Sequence, residues 1–199
     1  NTARDNMGGL GTSTAALSVG GNTGSVSAIN ESWNGSAWTE LGDLNTARKS
    51  LAASGSTTAA LAFAGYTTAV SKLNESWNGS AWTEVGDMNT ARQLVMGGGT
   101  ATSALVAAGE ITADSALNES WNGSTWTEVN NLNTGRGFGA LSGSYVLALL
   151  GGGTTGTVTV NTESWDGTSW TEQNNLATAR SHVGGAGGTS GGNTSNLAF

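Results

Sequence analysis

The 199-residue chain has no cysteine and no proline. The first absence removes disulfides, zinc–thiolate sites and thiol chemistry. A single histidine, His182, leaves most histidine-based metal sites and catalytic triads without their parts. Basic residues are scarce: 7 Lys and Arg stand against 14 Asp and Glu, for a formal net charge of −7. Nucleic-acid surfaces need clustered Lys and Arg to neutralise phosphates, and docking on anionic lipid needs them too, so neither partner is expected. No run approaches the roughly 18 apolar residues of a spanning helix, and no signal-peptide pattern opens the chain. The first residue is Asn1 rather than Met, so the segment is expected to belong to something longer.

Charged residues are only 11% of the chain and there are 32 glycines, a composition that alone would suggest disorder. Eight tryptophans at regular spacing argue the other way. Asn-Thr-Ala-Arg starts at Asn1, Asn45 and Asn89, and returns as Asn-Thr-Gly-Arg at Asn133 and Ala-Thr-Ala-Arg at Ala177. Every step is 44 residues. The same step relates Trp33, Trp77, Trp121 and Trp165, and likewise Trp38, Trp82, Trp126 and Trp170. It also relates Glu31, Glu75, Glu119 and Glu163, and Arg4, Arg48, Arg92, Arg136 and Arg180. The chain therefore divides into repeats 1–44, 45–88, 89–132 and 133–176 and a partial fifth, 177–199.

A period near 44 suits both propeller blades and helical pairs. Composition decides, because Gly, Ser, Thr, Asn and Trp dominate and amphipathic helical stripes are missing. In the second repeat, strand A is expected over 48–54, strand B over 59–64, strand C over 71–77 and strand D over 81–85. A 55–57 turn joins A to B, and Asn78-Gly79 forms the C–D hairpin tip. Four short strands per repeat make one blade, so the fold class is all-β, a β-propeller of four full 44-residue repeats plus a partial fifth. Gly8-Gly9, Ala52-Ala53 and Gly97-Gly98-Gly99 suit an innermost strand A. Leu17, Leu61, Leu105 and Leu149 are expected in the core. Trp33, Trp77, Trp121 and Trp165 are expected to be buried between blades rather than to serve as sugar-stacking platforms. Each Glu of the 44-residue series is expected to satisfy an Arg or backbone amides.

Gly20-Gly21 closing the second strand, Trp33 on the third, Trp38 opening the fourth and Arg48 entering the next unit resemble the kelch family. The resemblance covers essentially the whole chain and implies kelch-like blades. It departs at Ser32-Trp33-Asn34, where kelch repeats carry Tyr-Asp, and in a period at the short end. The phrase Glu-Ser-Trp-Asn-Gly-Ser also resembles repeats in predicted phage tail or fibre proteins, which implies a virion or extracellular location. Ser164-Trp165-Asp166-Gly167-Thr168-Ser169-Trp170 resembles the Asp-box hairpin of sialidases but is one residue short. The copper chemistry of galactose oxidase, a kelch-like enzyme, is excluded by the missing Cys and the lone His.

Repeats differ most between strands B and C: Asn22-Thr23-Gly24-Ser25, Tyr66-Thr67-Thr68-Ala69, Glu110-Ile111-Thr112-Ala113 and Thr154-Thr155-Gly156-Thr157. The residue after each Arg also varies, as Asp5, Lys49, Gln93, Gly137 and Ser181. In an up-and-down blade these two connections share one face. Variation on one face over a constant scaffold is what a recognition surface produces, and relaxed constraint at exposed loops produces it too. The candidate ligand-binding residues are Lys49, Tyr66, Thr67, Lys72, Gln93, Glu110, Thr112 and Asp114. No catalytic residue, cofactor or metal ligand is expected. The leading expectation is a non-enzymatic module that binds a glycan or cell-surface receptor. A structural or decoration module of a larger assembly is the alternative, and a glycoside hydrolase a minor one. The partial fifth repeat is expected to supply an inner hairpin, strand A over 181–188 and the start of strand B over 196–199, that other subunits or flanking chain complete.

Overall fold

A computed structural model describes residues 2–186 and 197–198. Each 44-residue repeat forms one four-stranded antiparallel sheet with its strands in chain order. Blade 1 contains β1 (Gly8–Gly11), β2 (Ala16–Val19), β3 (Asn30–Trp33) and β4 (Trp38–Glu40). Blade 2 contains β5 (Ala52–Gly55), β6 (Ala60–Phe63), β7 (Asn74–Trp77) and β8 (Trp82–Val85). Blade 3 contains β9 (Met96–Thr100), β10 (Ser103–Ala107), β11 (Asn118–Trp121) and β12 (Trp126–Val129). Blade 4 contains β13 (Ala140–Gly143), β14 (Ala148–Gly151), β15 (Thr162–Trp165) and β16 (Trp170–Glu172). A two-stranded sheet follows, β17 (Gly185–Ala186) with β18 (Leu197–Ala198). The architecture is a four-bladed β-propeller with this short fifth sheet beside blade 4.

Successive first strands touch, β1 on β5, β5 on β9, β9 on β13 and β13 on β17, so the first strand of each sheet lies innermost. They line an axial channel of about 220 Å³ walled by Gly9, Gly55, Gly97, Gly99, Gly143 and Gly185 among others. Crowding explains the small residues: a Cβ on Gly97 would lie 2.5 Å from Phe63 Cζ.

Period-two alternation sends the two faces of each sheet to different neighbours. Leu17 and Val19 on β2 meet Ala60, Ala62, Trp77 and Trp82 of blade 2. Leu61, Phe63 and Met88 meet Ala104, Val106, Trp121 and Trp126 of blade 3. Leu105, Ala107 and Leu132 meet Ala148, Leu150, Trp165 and Trp170 of blade 4. The tryptophan pairs of blades 2, 3 and 4 therefore pack backward onto the preceding blade. Burying an indole removes roughly 150–250 Å² from water, worth about 4–6 kcal/mol at 25 cal/mol per Å². The indole N–H of Trp33, Trp77, Trp121 and Trp165 donates to the carbonyl of Ser13, Thr57, Ala101 and Tyr145 in its own A–B turn.

Several expectations are corrected. Trp77, Trp121 and Trp165 are buried as expected, but Trp33 is only half-buried and Trp38 is exposed, because blade 1 has no preceding full blade among the described residues. Leu149 is half-buried, not core, for the same reason at the opposite end. Strands A and C are shorter than expected, starting at Ala52 and Asn74. The Arg48 N–H bonds the carbonyl of Ser27 in blade 1 instead of joining its own sheet. In the fifth repeat, strand A, expected over 181–188, starts only at Gly185, and 187 and 188 lie outside the described residues. Strand B was expected over 196–199; Leu197–Ala198 is a strand, and Asn196 and Phe199 lie outside the described residues.

The Arg–Glu series forms buried pairs inside each blade. Arg4 pairs with Glu31 at 2.6 Å, Arg48 with Glu75 at 2.9 Å and Arg92 with Glu119 at 2.8 Å, and Arg136 pairs with Glu163. Arg48 also donates to the carbonyls of Leu73, Ala64 and Ala62, and Glu75 accepts from the Asn45 backbone and side chain. A buried ion pair holds only when its spare donors and lone pairs are met this way. Burial pulls the guanidinium pKa of Arg48, Arg92 and Arg136 down, and the facing carboxylate opposes it.

Candidate ligand-binding face

The meander places B–C loops and D–A connections at one end of the propeller and A–B turns and C–D hairpins at the other. At the first end the two segments of a blade are joined by reciprocal backbone bonds. Asp5 pairs with Asn22, Lys49 with Tyr66, Gln93 with Glu110 and Gly137 with Thr154. The glycine before each loop partner bonds across to the next blade: Gly21 to Arg48 O, Gly65 to Arg92 O, Gly109 to Arg136 O and Gly153 to Arg180 O. Positions that vary in sequence thus sit on a backbone lattice that does not vary.

All eight candidate residues lie in these loops and connections of blades 2 and 3. Lys49 Nζ lies 5.6 Å from the centroid of the half-buried Tyr66 ring, a cation–π arrangement. The Thr67 N–H and hydroxyl both face Ala69 O, at 3.0 and 3.5 Å, tightening the loop. Lys72 is exposed, and its carbonyl accepts from Met88 N–H. Gln93 and Glu110 are joined through their backbones, and Thr112 is exposed. Asp114 reaches into blade 4, where its Oδ2 accepts the Gly156 N–H at 2.9 Å. The Lys49, Tyr66 and Thr67 group and the Gln93, Glu110, Thr112 and Asp114 group each close on their own loop, and among these eight it is the Asp114 side chain that reaches the next blade.

One set of residues escaped the sequence reading. Two positions after each recurring Arg, Asn6, Ser50, Leu94, Phe138 and His182 all adopt left-handed backbone, with φ of 52°, 54°, 55°, 56° and 57°. Left-handed backbone is uncommon outside glycine and costs about 1–2 kcal/mol per residue. Three backbone bonds link members of the set: Ser50 N–H to Asn6 O, Leu94 N–H to Ser50 O and His182 N–H to Phe138 O. Together they ring the axial mouth above a cavity of about 330 Å³ whose deeper wall is Met7, Leu51, Val95 and Val183. His182, within the span expected for strand A of the fifth repeat, precedes that strand. It lies against Phe138, with ring centroids 4.0 Å apart. The signal was present: the second residue after Arg varies as widely as the first.

Among the described residues, no group of three or more His, Asp or Glu side chains is placed to hold a metal ion. What the face offers chemically is a mouth of mixed polarity with apolar side chains and an aromatic pair in its wall, surrounded by hydroxyl, amide and mixed-charge groups.

No protein-family model matches the chain. No curated protein matches it in sequence. Among solved structures it is similar to one described as "Structure of YjhT", with a TM-score of 0.75 and 10% identity over 98% of this chain and 84% of that one. At that identity the likeness speaks for the β-propeller fold alone.

Proposed function

We propose that this chain is a non-enzymatic, kelch-like binding module that takes a neutral polar ligand, a glycan or the glycan of a cell-surface receptor, at the loop face, on a virion or other extracellular surface. The observation that carries the reading is the ring of Asn6, Ser50, Leu94, Phe138 and His182. Five different side chains are held in the same strained backbone around one mouth. Strain retained at equivalent positions while the side chain changes is the signature of a presented surface. The apolar wall and the Phe138–His182 pair suit the hydrophobic face of a sugar ring, and Lys49, Gln93 and Glu110 suit its hydroxyls. The non-enzymatic reading is supported by the recurring carboxylates, which are consumed in ion pairs with arginine. The virion placement rests on the resemblance of the Glu-Ser-Trp-Asn-Gly-Ser phrase to phage tail repeats. An open mouth of this size favours weak affinity per site, which many copies would raise by about 10²–10⁴-fold.

Neutral oligosaccharides arrayed on a surface and probed with the multivalently displayed chain test this. Attachment lost in Lys49→Ala, Gln93→Ala and Phe138→Ala but kept in Thr14→Ala, Thr58→Ala and Thr102→Ala, on the opposite turns, supports it. Equal loss in both sets, or in neither, removes it. A structural module of a larger assembly is the second reading, favoured by the open face of blade 1.

A further inference from the structure

In each full blade the second strand pairs with a third: β2 with β3, β6 with β7, β10 with β11 and β14 with β15. In the short fifth sheet β18 takes the role of the second strand, and among the described residues its outer edge has no partner. The five first strands line one channel, so β17 and β1 flank the remaining sector. Three further observations converge on that sector. Arg180 stands in register with Arg48, Arg92 and Arg136, which are fully buried against a glutamate on their own third strand. Arg180 is exposed, its side chain has no carboxylate partner among the described residues, and its guanidinium donates to the nearby Thr178 O at 3.4 Å. On the blade 1 side, Trp38 is 40% exposed beside a cavity of about 450 Å³ lined by Ala3, Met7, Ser18 and Trp38 among others. On the blade 4 side, Leu149 and Leu176 are half-buried where Leu61, Leu105, Met88 and Leu132 are buried.

We propose that this sector is a docking site for a separate β-hairpin of the repeat's own outer-strand type, reading Asn-Glu-Ser-Trp, an Asn-Gly turn, then Trp-Thr-Glu and an apolar residue. The three interblade interfaces state what each wall takes. Docking adds a strand to the β18 edge, satisfying backbone groups that an exposed edge leaves open. The hairpin's glutamate meets Arg180 as Glu75 meets Arg48. Its tryptophans cover Leu149 and Leu176 as Trp121 and Trp126 cover Leu61 and Met88, and its apolar residues cover Trp38 as Val85 and Met88 cover Trp126. Ala177 replaces the asparagine whose side chain holds Glu75 in blade 2, so the docked glutamate has one donor fewer. Gln173, where blades 2 and 3 carry Val85 and Val129, keeps the outer rim of the blade 4 wall polar.

The probe is a fluorescein-labelled peptide of residues Lys72 to Met88, titrated onto the chain by anisotropy. Saturable one-to-one binding is expected, with slowed amide exchange at Leu197 and Ala198. Arg180→Ala, a surface change that leaves the fold intact, should weaken binding about tenfold, as loss of a charge-assisted bond does. A Glu75→Gln peptide should weaken it similarly, with little further loss when the two changes are combined. Because an isolated hairpin is marginally ordered, the same segment joined by a Gly/Ser linker ahead of Thr2 provides a second readout. The fusion should melt higher than the parent, and Arg180→Ala should lower its Tm more than the parent's. No saturable binding together with an unchanged fusion Tm overturns the proposal. So does binding indifferent to Arg180. So does a concentration-dependent dimer blocked by the peptide, which makes the occupant a second copy.

Discussion

Blade 2 and blade 1 carry the same tryptophan pair in the same internal geometry. The Trp77–Trp82 centroids are 5.3 Å apart at 40°, and the Trp33–Trp38 centroids 5.7 Å apart at 42°. Yet Trp82 is 5% exposed and Trp38 is 40% exposed. The hairpin sets the pair, and the neighbouring blade buries it. A blade's stability is therefore mostly an interface property, as in other stacked repeats where nearest-neighbour terms dominate.

The sharpest way to break this comparison is to truncate both members of an equivalent pair of positions. Trp77→Ala should cost about 3–5 kcal/mol, the usual range for a buried aromatic, and Trp33→Ala about half that or less. Urea midpoints at constant m-value read the difference; equal losses would mean that the pair is stabilised within its own blade. Next in size is the buried ion pair. Glu75→Gln leaves Arg48 buried without its counter-charge and should cost about 3 kcal/mol or more. Glutamine keeps the shape, so a loss below about 1 kcal/mol would show that the backbone carbonyls alone satisfy Arg48.

A smaller effect of opposite sign is expected at the axial mouth. Ser50→Gly relieves a left-handed backbone at φ 54° and should stabilise by about 0.5–1 kcal/mol. Ala52→Gly, one step into the adjacent strand, should destabilise. If Ser50→Gly also destabilises, the backbone there is not strained, and the argument for a presented ring weakens.

The smallest effect belongs to Asp166, where the other blades have Asn34, Asn78 and Asn122. Hydrogen bonds from the Ser169 backbone N–H, then from the Thr168 hydroxyl and N–H, hold its carboxyl well below the ordinary carboxylate range. A folded-state pKa below the unfolded one gives stability present above the unfolded value, near 3.9, and lost as pH falls through the folded one. The Tm of the parent should therefore fall relative to Asp166→Asn between about pH 5 and pH 2. A constant gap across that range would contradict the assignment.

Where a feature recurs with the period, the sequence alone discloses it: the blade register, the Arg–Glu pairing and the Asn-Gly hairpins. The shared face of the loop residues was legible too, because antiparallel connectivity dictates it. Features that depend on a neighbour were not. Trp33 has the same local sequence as Trp77, and nothing in Glu-Ser-Trp-Asn reports which blade lies behind it. The axial ring was hidden for another reason. Leu94 and Phe138 are not residues that announce a left-handed backbone, and their conformation is imposed by bonds between successive connections rather than by local preference. Strand A began later than expected because Arg48 bonds the preceding blade, a competitor invisible within one repeat.

The near-identity of the outer hairpins bears on how the chain reaches its native state. Asn30–Ser36, Asn74–Ser80 and Asn118–Ser124 are the same seven residues. A strand B emerging from collapse finds three chemically equivalent third strands, and only chain connectivity distinguishes the correct one. Blades joined out of order would satisfy most of the same hydrogen bonds. Refolding from denaturant should then show slow phases from mispaired blades and, at high protein concentration, exchange of hairpins between molecules. Synthesis from one end, with each blade closing before its twin appears, would avoid that traffic.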